Sequence, residues 1–227
     1  MSAEELLFEL PGSGRVLFTA RADGNLSSIR GEGREHGEAA REAIRARIGV
    51  RTLARAHQVH GASVHLWDAS QPPPGPSDLE GDGHATAVPG IGLTVLTADC
   101  LPVALGAARA VTMLHAGWRG LSAGILERGV VALEGVAGGS GGIVAILGPC
   151  AGVCCYEVGP EVHAAFGQDP GASRNLDLRR IARERLLRAG VSVVLDAEAC
   201  TICDERFFSH RREGSRAGRQ GAVAWLT

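Results

Sequence analysis

The chain has 227 residues, of which 45% are hydrophobic, enough apolar material for the core of one large domain. Its formal net charge of −2 provides no basic field to attract nucleic acid or an anionic membrane surface. All 23 basic residues are arginines. Chemistry that needs a lysine, such as Schiff-base formation or a P-loop, is therefore excluded.

The amino terminus and the hydropathy pattern bear on location. Residues 1–11 carry acidic side chains and lack a basic stretch followed by an apolar core. No window approaches 18 consecutive apolar residues, so neither a secretory signal nor a transmembrane helix is predicted. We therefore expect a cytoplasmic protein whose six cysteines are reduced thiols.

Apolar periodicity and turn residues divide the chain into short strands and a few helices. The pattern predicts strands at 16–19, 51–59, 63–67, 92–97, 103–105, 110–114, 143–147, 191–195 and 221–226. It predicts helices at 38–48, 121–133, 161–166 and 178–189. The two strands that flank Gly61-Ala62 are expected to form a tight hairpin, and the four prolines in 71–77 indicate a surface loop.

The order of these elements is mixed rather than a strict alternation of strand and helix. We therefore predict a layered α+β (mixed α/β) sandwich in preference to a doubly wound parallel sheet. The proline-rich stretch is too short to mark a domain boundary. A single domain over residues 1–227 is the expectation.

Three segments place a metal-ligand residue type at or beside the end of an apolar strand. His60 lies at the predicted hairpin, Cys100 follows one strand and His115 follows another. Two imidazoles and a thiolate are a set that catalytic zinc uses, with three protein ligands and a fourth position left for water or substrate. The alternative is a buried, inert cysteine and two unrelated histidines.

Polar residues next to these ligands are candidates for substrate contacts. Asp99 could orient a ligand or a substrate hydroxyl. Arg119 lies in a glycine-rich turn before a predicted helix, a position suited to an anion, although an ordinary solvated arginine is the alternative. Arg211, after an aromatic pair, could close over the pocket or be plain surface charge.

The spacing of the remaining cysteines suggests a second zinc site, but core packing is the favoured interpretation. Cys150 precedes the adjacent pair Cys154 and Cys155, and Cys200 and Cys203 have CxxC spacing. Adjacent cysteines are expected to project in different directions, unlike the paired knuckles of a zinc ribbon. Core packing is therefore the expectation for all five.

Short motifs follow one another along nearly the whole chain, and their ordered set is specific. They are Phe18-Thr-Ala-Arg21, Gln58-Val-His-Gly61, Thr97-Ala-Asp-Cys-Leu-Pro-Val103, His115-Ala-Gly-Trp-Arg-Gly120, Leu147-Gly-Pro-Cys150, Cys155-Tyr-Glu-Val-Gly159, Cys200-Thr-Ile-Cys203, Phe207-Phe-Ser-His-Arg-Arg212 and Gly218-Arg219. Together they resemble the multi-copper polyphenol oxidase family, also called the laccase-domain or YfiH-like family.

The resemblance implies a single four-layer α-β-β-α domain with mixed sheets, a cytoplasmic location and a zinc site at the three ligand residues named above. It also implies phosphorolysis of adenosine, inosine, guanosine and methylthioadenosine, with inorganic phosphate as co-substrate, together with deamination of adenosine. The catalytic positions would be Cys100, His115 and Asp99. The residues implied to contact phosphate or nucleoside are Arg21, Gln58, Asp99 and Arg119.

Other functions remain open from the sequence. One is a copper-dependent polyphenol oxidase, since thiolate and imidazole also suit copper, although only two of the eight histidines lie in the ligand motifs. Another is a metal-independent hydrolase with Cys100 as nucleophile and His115 as base. A non-catalytic binding role is a further alternative.

Overall fold

The computed structural model describes residues 6–69, 79–139, 141–169, 171 and 173–227, which form two mixed sheets. The first sheet contains, in spatial order, β1 (Leu6–Glu9), β2 (Gly14–Phe18), β11 (Gln220–Leu226), β6 (Ile91–Thr97) and β3 (Thr52–Ala54). The second contains β10 (Val193–Asp196), β9 (Val144–Leu147), β7 (Leu101–Ala107), β8 (Ala110–Ala116), β5 (Gly83–Thr86) and β4 (Val64–Trp67). In the first sheet only the β6–β3 pair at one end is parallel, and the other pairs are antiparallel. In the second sheet the pairs at both ends are parallel and the central pairs are antiparallel.

Helices cover the outer faces of both sheets. In chain order the α-helices of the described residues are α1 (Gly37–Ile48), α2 (Trp118–Ser122), α3 (Ile125–Ala137), α4 (Pro160–Ala164), α5 (Leu178–Arg188) and α6 (His210–Glu213), and α1, α3 and α5 cover the sheets. Helix α1 buries Ile44 against Leu17 and Val223 of the first sheet. Helices α3 and α5 bury Leu126 and Leu186 in the cluster on the second sheet. None of the described helices is both long and apolar enough to cross a bilayer.

The inner faces of the two sheets form the central apolar layer. Phe18 and Leu93 of the first sheet are buried in one cluster with Val111, Met113 and Ile146 of the second. Because a sheet buries one face by packing on another layer, these contacts produce four layers in the order α-β-β-α. The predicted α+β sandwich with mixed sheets is therefore confirmed.

The predicted hairpin around Gly61-Ala62 is wrong. The first of its strands is only β3, which pairs in parallel with β6, and the second is β4, in the other sheet. Between them the backbone N–H groups of Val59, His60 and Gly61 donate to the Asp82 carboxylate instead of to a neighbouring strand. A side chain thus satisfies the donors that a hairpin ladder would have used.

Two further differences have local causes. The helix predicted over 121–133 is two helices, because Gly124 at φ 89° adopts a left-handed conformation that ends α2 before α3 begins. Strands β1 and β5 were not predicted, and β5 contains two residues, Gly83 and His84, that do not mark an apolar strand. The proline-rich loop predicted at 71–77 lies outside the described residues.

Candidate metal centre

The centre lies where the chain crosses from one sheet to the other. Strand β6 of the first sheet ends at Thr97, and β7 of the second sheet begins at Leu101. Asp99, in the crossing, has a φ of 83°, a left-handed conformation that a non-glycine residue seldom adopts. Leu101 pairs with Ala116, which places Cys100 beside Gly117, just after β8.

The three predicted ligands meet at this crossing. The ligand atoms of His60, Cys100 and His115 all lie within 4.8 Å of one another. The two imidazole rings meet edge to face, with centroids 4.9 Å apart. A tetrahedral zinc ion separates nitrogen and sulfur ligands by about 3.3–3.8 Å, so small side-chain movements would bring this set around one ion.

Asp82 organises two of the three ligands. Its side chain is fully buried and accepts a hydrogen bond of 2.7 Å from Nδ1 of His115. The same carboxylate accepts the backbone N–H of His60 at 3.0 Å, which holds that residue at a positive φ of 59°. A carboxylate behind a histidine fixes the ring tautomer and makes the other ring nitrogen the ligand atom.

The electrostatics of the trio favour a thiolate. Burial opposes ionisation of Cys100, but His115 and His60 outweigh it and lower the pKa of the thiol to about 6. Burial likewise opposes protonation of His115, yet the charges of Cys100 and Asp82 raise its pKa to about 9. The thiolate and the Asp82 carboxylate thus favour a positive charge at His115, and a metal ion that bound there would replace the imidazole proton.

Asp99 joins the crossing to the carboxyl-terminal motif. The carboxylate is buried; Oδ1 accepts a hydrogen bond of 2.7 Å from the Thr201 hydroxyl, and Oδ2 accepts one of 2.7 Å from the backbone N–H of Arg211. Both oxygens thus have partners within the protein. Asp99 positions the segments around Thr201 and Arg211 next to Cys100.

The other predicted contact residues differ in how free their polar groups are. The Gln58 amide is bonded at both ends to the backbone of Leu96, with donor–acceptor distances of 2.8 and 2.7 Å. Arg21 is ion-paired with Glu213 at 2.5 Å. Arg119 is exposed and stacks on Trp118 at 4.3 Å, and its guanidinium has no hydrogen-bond or ion-pair partner among the described residues.

Arg211 reaches from the crossing to a cavity of about 640 Å³. Its guanidinium lies over the ring of Tyr156, 4.9 Å from the centroid, and donates to the backbone carbonyl of Glu157. Burial, with the charge of Cys100 as the next cause, raises the pKa of the Tyr156 hydroxyl to about 12. The cavity lining is Glu157, Val158, Gly159, Pro160, His163, Arg174 and Arg211, and contains none of the three metal ligands.

Core packing, predicted for five cysteines, is right for only one of them. Cys150 is fully buried, and burial raises the pKa of its thiol to about 12. The other four are exposed or half-buried, and their sulfur atoms lie together. Side chains diverge at successive positions of a strand, but Cys154 and Cys155 lie in a turn, where both sulfurs can face the same point.

Two residues of the centre were not identified from the sequence. Asp82 lies in Gly81-Asp82-Gly83, which has the composition of a loop and is distant in sequence from His115. Gly117 packs so closely that a Cβ atom there would lie 3.0 Å from both the Cys100 sulfur and Cδ2 of His60. The glycine within the His115-Ala-Gly-Trp-Arg-Gly120 motif was the available signal for this close approach.

The fold and the site together define a class, namely a four-layer α-β-β-α protein with a His–Cys–His set that could hold a metal ion at a crossing between its sheets. The chain belongs to the multi-copper polyphenol oxidoreductase laccase family, whose model matches residues 14–227. Two groups of side chains among the described residues could hold a metal ion: the His60–Cys100–His115 set and a group of four cysteines. Only the first group contains imidazoles, and it contains two.

Relatives and solved structures agree with this membership. A Xylella fastidiosa (strain Temecula1) protein named purine nucleoside phosphorylase is 38% identical over 234 residues, which cover 95% of this chain and 88% of that protein. A Pseudomonas aeruginosa protein with the same activity in its name is 40% identical over 185 residues, covering 74% and 72%. The crystal structure of Neisseria meningitidis protein NMB0706 superposes with a TM-score of 0.84 at 30% identity, covering 99% of each chain. That of YlmD from Geobacillus stearothermophilus gives 0.81 at 28% identity, covering 94% and 91%.

Proposed function

We propose that this protein is a zinc-dependent purine nucleoside phosphorylase that acts on adenosine, inosine, guanosine and methylthioadenosine and also deaminates adenosine. The observation that carries the proposal is the His60–Cys100–His115 set, in a chain whose relatives are named for that activity. Membership in the family supports the same function, and a cytoplasmic location is part of the proposal.

The donor set fits zinc. One thiolate and two imidazoles are zinc ligands, three protein ligands are the number found in catalytic sites, and the Asp82–His115 hydrogen bond supplies the usual support behind the imidazole. Zinc held by His60, Cys100 and His115 would supply a Lewis acid with one coordination position not taken by the protein. Copper is the other metal that these donors accept.

Arginine side chains would provide the phosphate site, since the chain has no lysine. Arg119 is the best candidate, because its guanidinium lies over the Trp118 ring and has no hydrogen-bond or ion-pair partner among the described residues. It would hold phosphate so that an oxygen attacks C1′ of the ribose. The C1′–N9 bond then breaks, and its electron pair leaves with the purine.

Arg21, Gln58, Asp99 and Arg211 would act differently from Arg119. The Gln58 amide and both Asp99 oxygens already bond within the protein, so these residues would shape the cleft more than bind a ligand directly. Arg21 would need to exchange its ion pair with Glu213 for the substrate. We assign the reaction to the ligand set and not to the cavity beyond Arg211.

Product analysis tests the proposal. Zinc-loaded protein is incubated with inosine or adenosine, with and without phosphate, beside Cys100→Ala and the control Cys150→Ala. We expect free base and ribose 1-phosphate only with phosphate, loss of this activity in Cys100→Ala, and retention in Cys150→Ala, whose thiol lies outside the ligand set. Zinc-loaded wild type that leaves both nucleosides intact would overturn the function and leave the metal centre standing.

A second function is favoured by one observation. Cys100, His115 and Asp82 also have the order of a nucleophile, a base and the carboxylate that orients the base, and the pKa of the thiol is lowered to about 6. A metal-independent hydrolase of this kind would keep its activity after zinc is removed by a chelator. The phosphorylase proposal predicts that chelation abolishes turnover and that added zinc restores it.

A further inference from the structure

Four cysteine sulfurs form a second cluster, separate in sequence from the first centre. Cys154 and Cys155 come from the loop after β9, and Cys200 and Cys203 from the segment after β10. The four Sγ atoms all lie within 4.8 Å of one another. The Cys203 sulfur is 2.9 Å from that of Cys155 and 3.5 Å from that of Cys154. We propose that these four thiolates bind a structural zinc ion.

The local backbone resembles a zinc-binding knuckle. Cys200 and Cys203 have the C-x₂-C spacing of structural zinc sites, and the residues between them form a turn. Backbone N–H groups of Gly152, Ile202 and Cys203 donate to the Cys200 sulfur, the first at 3.2 Å. Such donors stabilise a thiolate, the form in which cysteine binds a metal.

The surroundings suit a closed, negatively charged metal–thiolate cluster. Four thiolates around Zn²⁺ leave no coordination position for substrate, which is the arrangement of a structural site. Arg212 donates from Nη1 to the carbonyl oxygens of Thr201 and Ile202, and so holds a positive charge at the Cys200–Cys203 turn. Cys154 and Cys203 are exposed, which provides a path for the ion.

A zinc ion here would connect two loops next to the first centre, the loop with Cys154 and Cys155 and the loop with Cys200 and Cys203. Among the described residues these loops share the bridge between Cys150 and Cys200, with hydrogen bonds from Cys150 N to Ala199 O and from Thr201 N to Cys150 O. The Thr201 hydroxyl in turn donates to the carboxylate of Asp99, in the crossing between the two sheets. A zinc ion would stabilise the pairing of these two loops without taking part in the reaction.

Metal counting tests the inference. Full-length protein is purified under a phosphine reductant, loaded with zinc, desalted and analysed for metal per chain. We expect two zinc ions in wild type, one in Cys155→Ser/Cys203→Ser, one in Cys100→Ala and two in Cys150→Ala, the control for removing a thiol outside both clusters. One zinc ion in wild type that disappears in Cys100→Ala would overturn the proposal.

Cobalt substitution keeps the inference testable if the double serine variant does not fold. Cys100→Ala has no thiolate left at the first centre, so sulfur-to-cobalt charge-transfer absorption in that variant must come from the four-cysteine cluster. We expect this absorption to be intense and absent without cobalt. Its absence in reduced Cys100→Ala, or two disulfides among these cysteines by intact mass in protein purified with zinc, would contradict the proposal.

Discussion

Asp82 and His115 are joined by two hydrogen bonds of 2.7 Å, although 33 residues separate them in sequence. Nδ1 of the His115 ring is hydrogen-bonded to the Asp82 carboxylate, and the His115 backbone N–H donates to the Asp82 carbonyl. The ring and the strand that carries it are therefore positioned together. The remaining ring nitrogen is the one available to the metal and to Cys100.

Replacing Asp82 by Asn should weaken metal binding more than it weakens the fold. The variant keeps the shape of the side chain but loses the charge behind His115, and loss of such a partner reduces metal affinity by about 10–100-fold. Competition with a chelating dye measures the affinity. Glu184→Gln, on the exposed face of α5, controls for loss of a carboxylate. Equal zinc affinity in the two variants would show that Asp82 does not support the centre.

Adding one methyl group at Gly117 should reduce zinc occupancy. A Cβ there would approach both the Cys100 sulfur and the His60 ring to 3.0 Å, and the φ of −67° is one that alanine adopts freely. Crowding of the ligands is thus the expected cause of any loss. In the control Gly135→Ala, in α3, the methyl group meets nothing within 4 Å, and we expect a gain of about 0.5–1 kcal/mol in stability. Full zinc occupancy in Gly117→Ala would be the contrary result.

Arg119→Gln should raise the KM for phosphate by about 10–100-fold, since a hydrogen bond to a charged group contributes about 1.5–3 kcal/mol. Zinc content should be unchanged, because Arg119 is not among the ligands. Initial rates at several phosphate concentrations provide the measurement. Arg109→Gln, in the exposed turn between β7 and β8, removes the same charge elsewhere. An unchanged KM in Arg119→Gln would place the phosphate site at another arginine.

Buried His84 should make the protein less stable in mild acid. It is 1% exposed, and Nδ1 accepts a hydrogen bond from Nε1 of Trp67 at 3.2 Å. Burial, with His65 as a further cause and Asp82 opposing, lowers the pKa of His84 from 6.5 to about 3. Between these two values the unfolded chain binds a proton that the folded chain does not, so stability falls as the pH is lowered through this window.

The expected slope from His84 is about 1.4 kcal/mol per pH unit below 6.5. Denaturant unfolding of wild type and His84→Gln, from pH 7 down to pH 5, measures it. Glutamine retains an acceptor for the Trp67 indole but does not titrate. We expect a shallower pH dependence in the variant, and parallel curves would show that another group causes the acid sensitivity.

The candidate metal ligands and most of the helices and strands were predicted from local sequence. The apolar runs at 92–97 and 110–114 predicted β6 and β8 closely, and the spacing of apolar residues predicted α1 and α5 to within one residue at each end. The motifs containing His60, Cys100 and His115 identified three side chains that the structure brings together. These elements could be predicted because each buries one face, so its apolar residues recur along the sequence with the period of a helix or a strand.

The sequence by itself thus determined the residue types of the centre, the absence of lysine chemistry and the layered class of the fold. Only the tertiary structure decided that residues 51–67 divide between two sheets, that Asp82 supports His115, and that Cys154 and Cys155 meet Cys200 and Cys203. These relationships depend on which distant segments pack together and on which side chains satisfy buried donors. Neither the packing of distant segments nor the pairing of buried donors produces a repeating pattern in the local sequence.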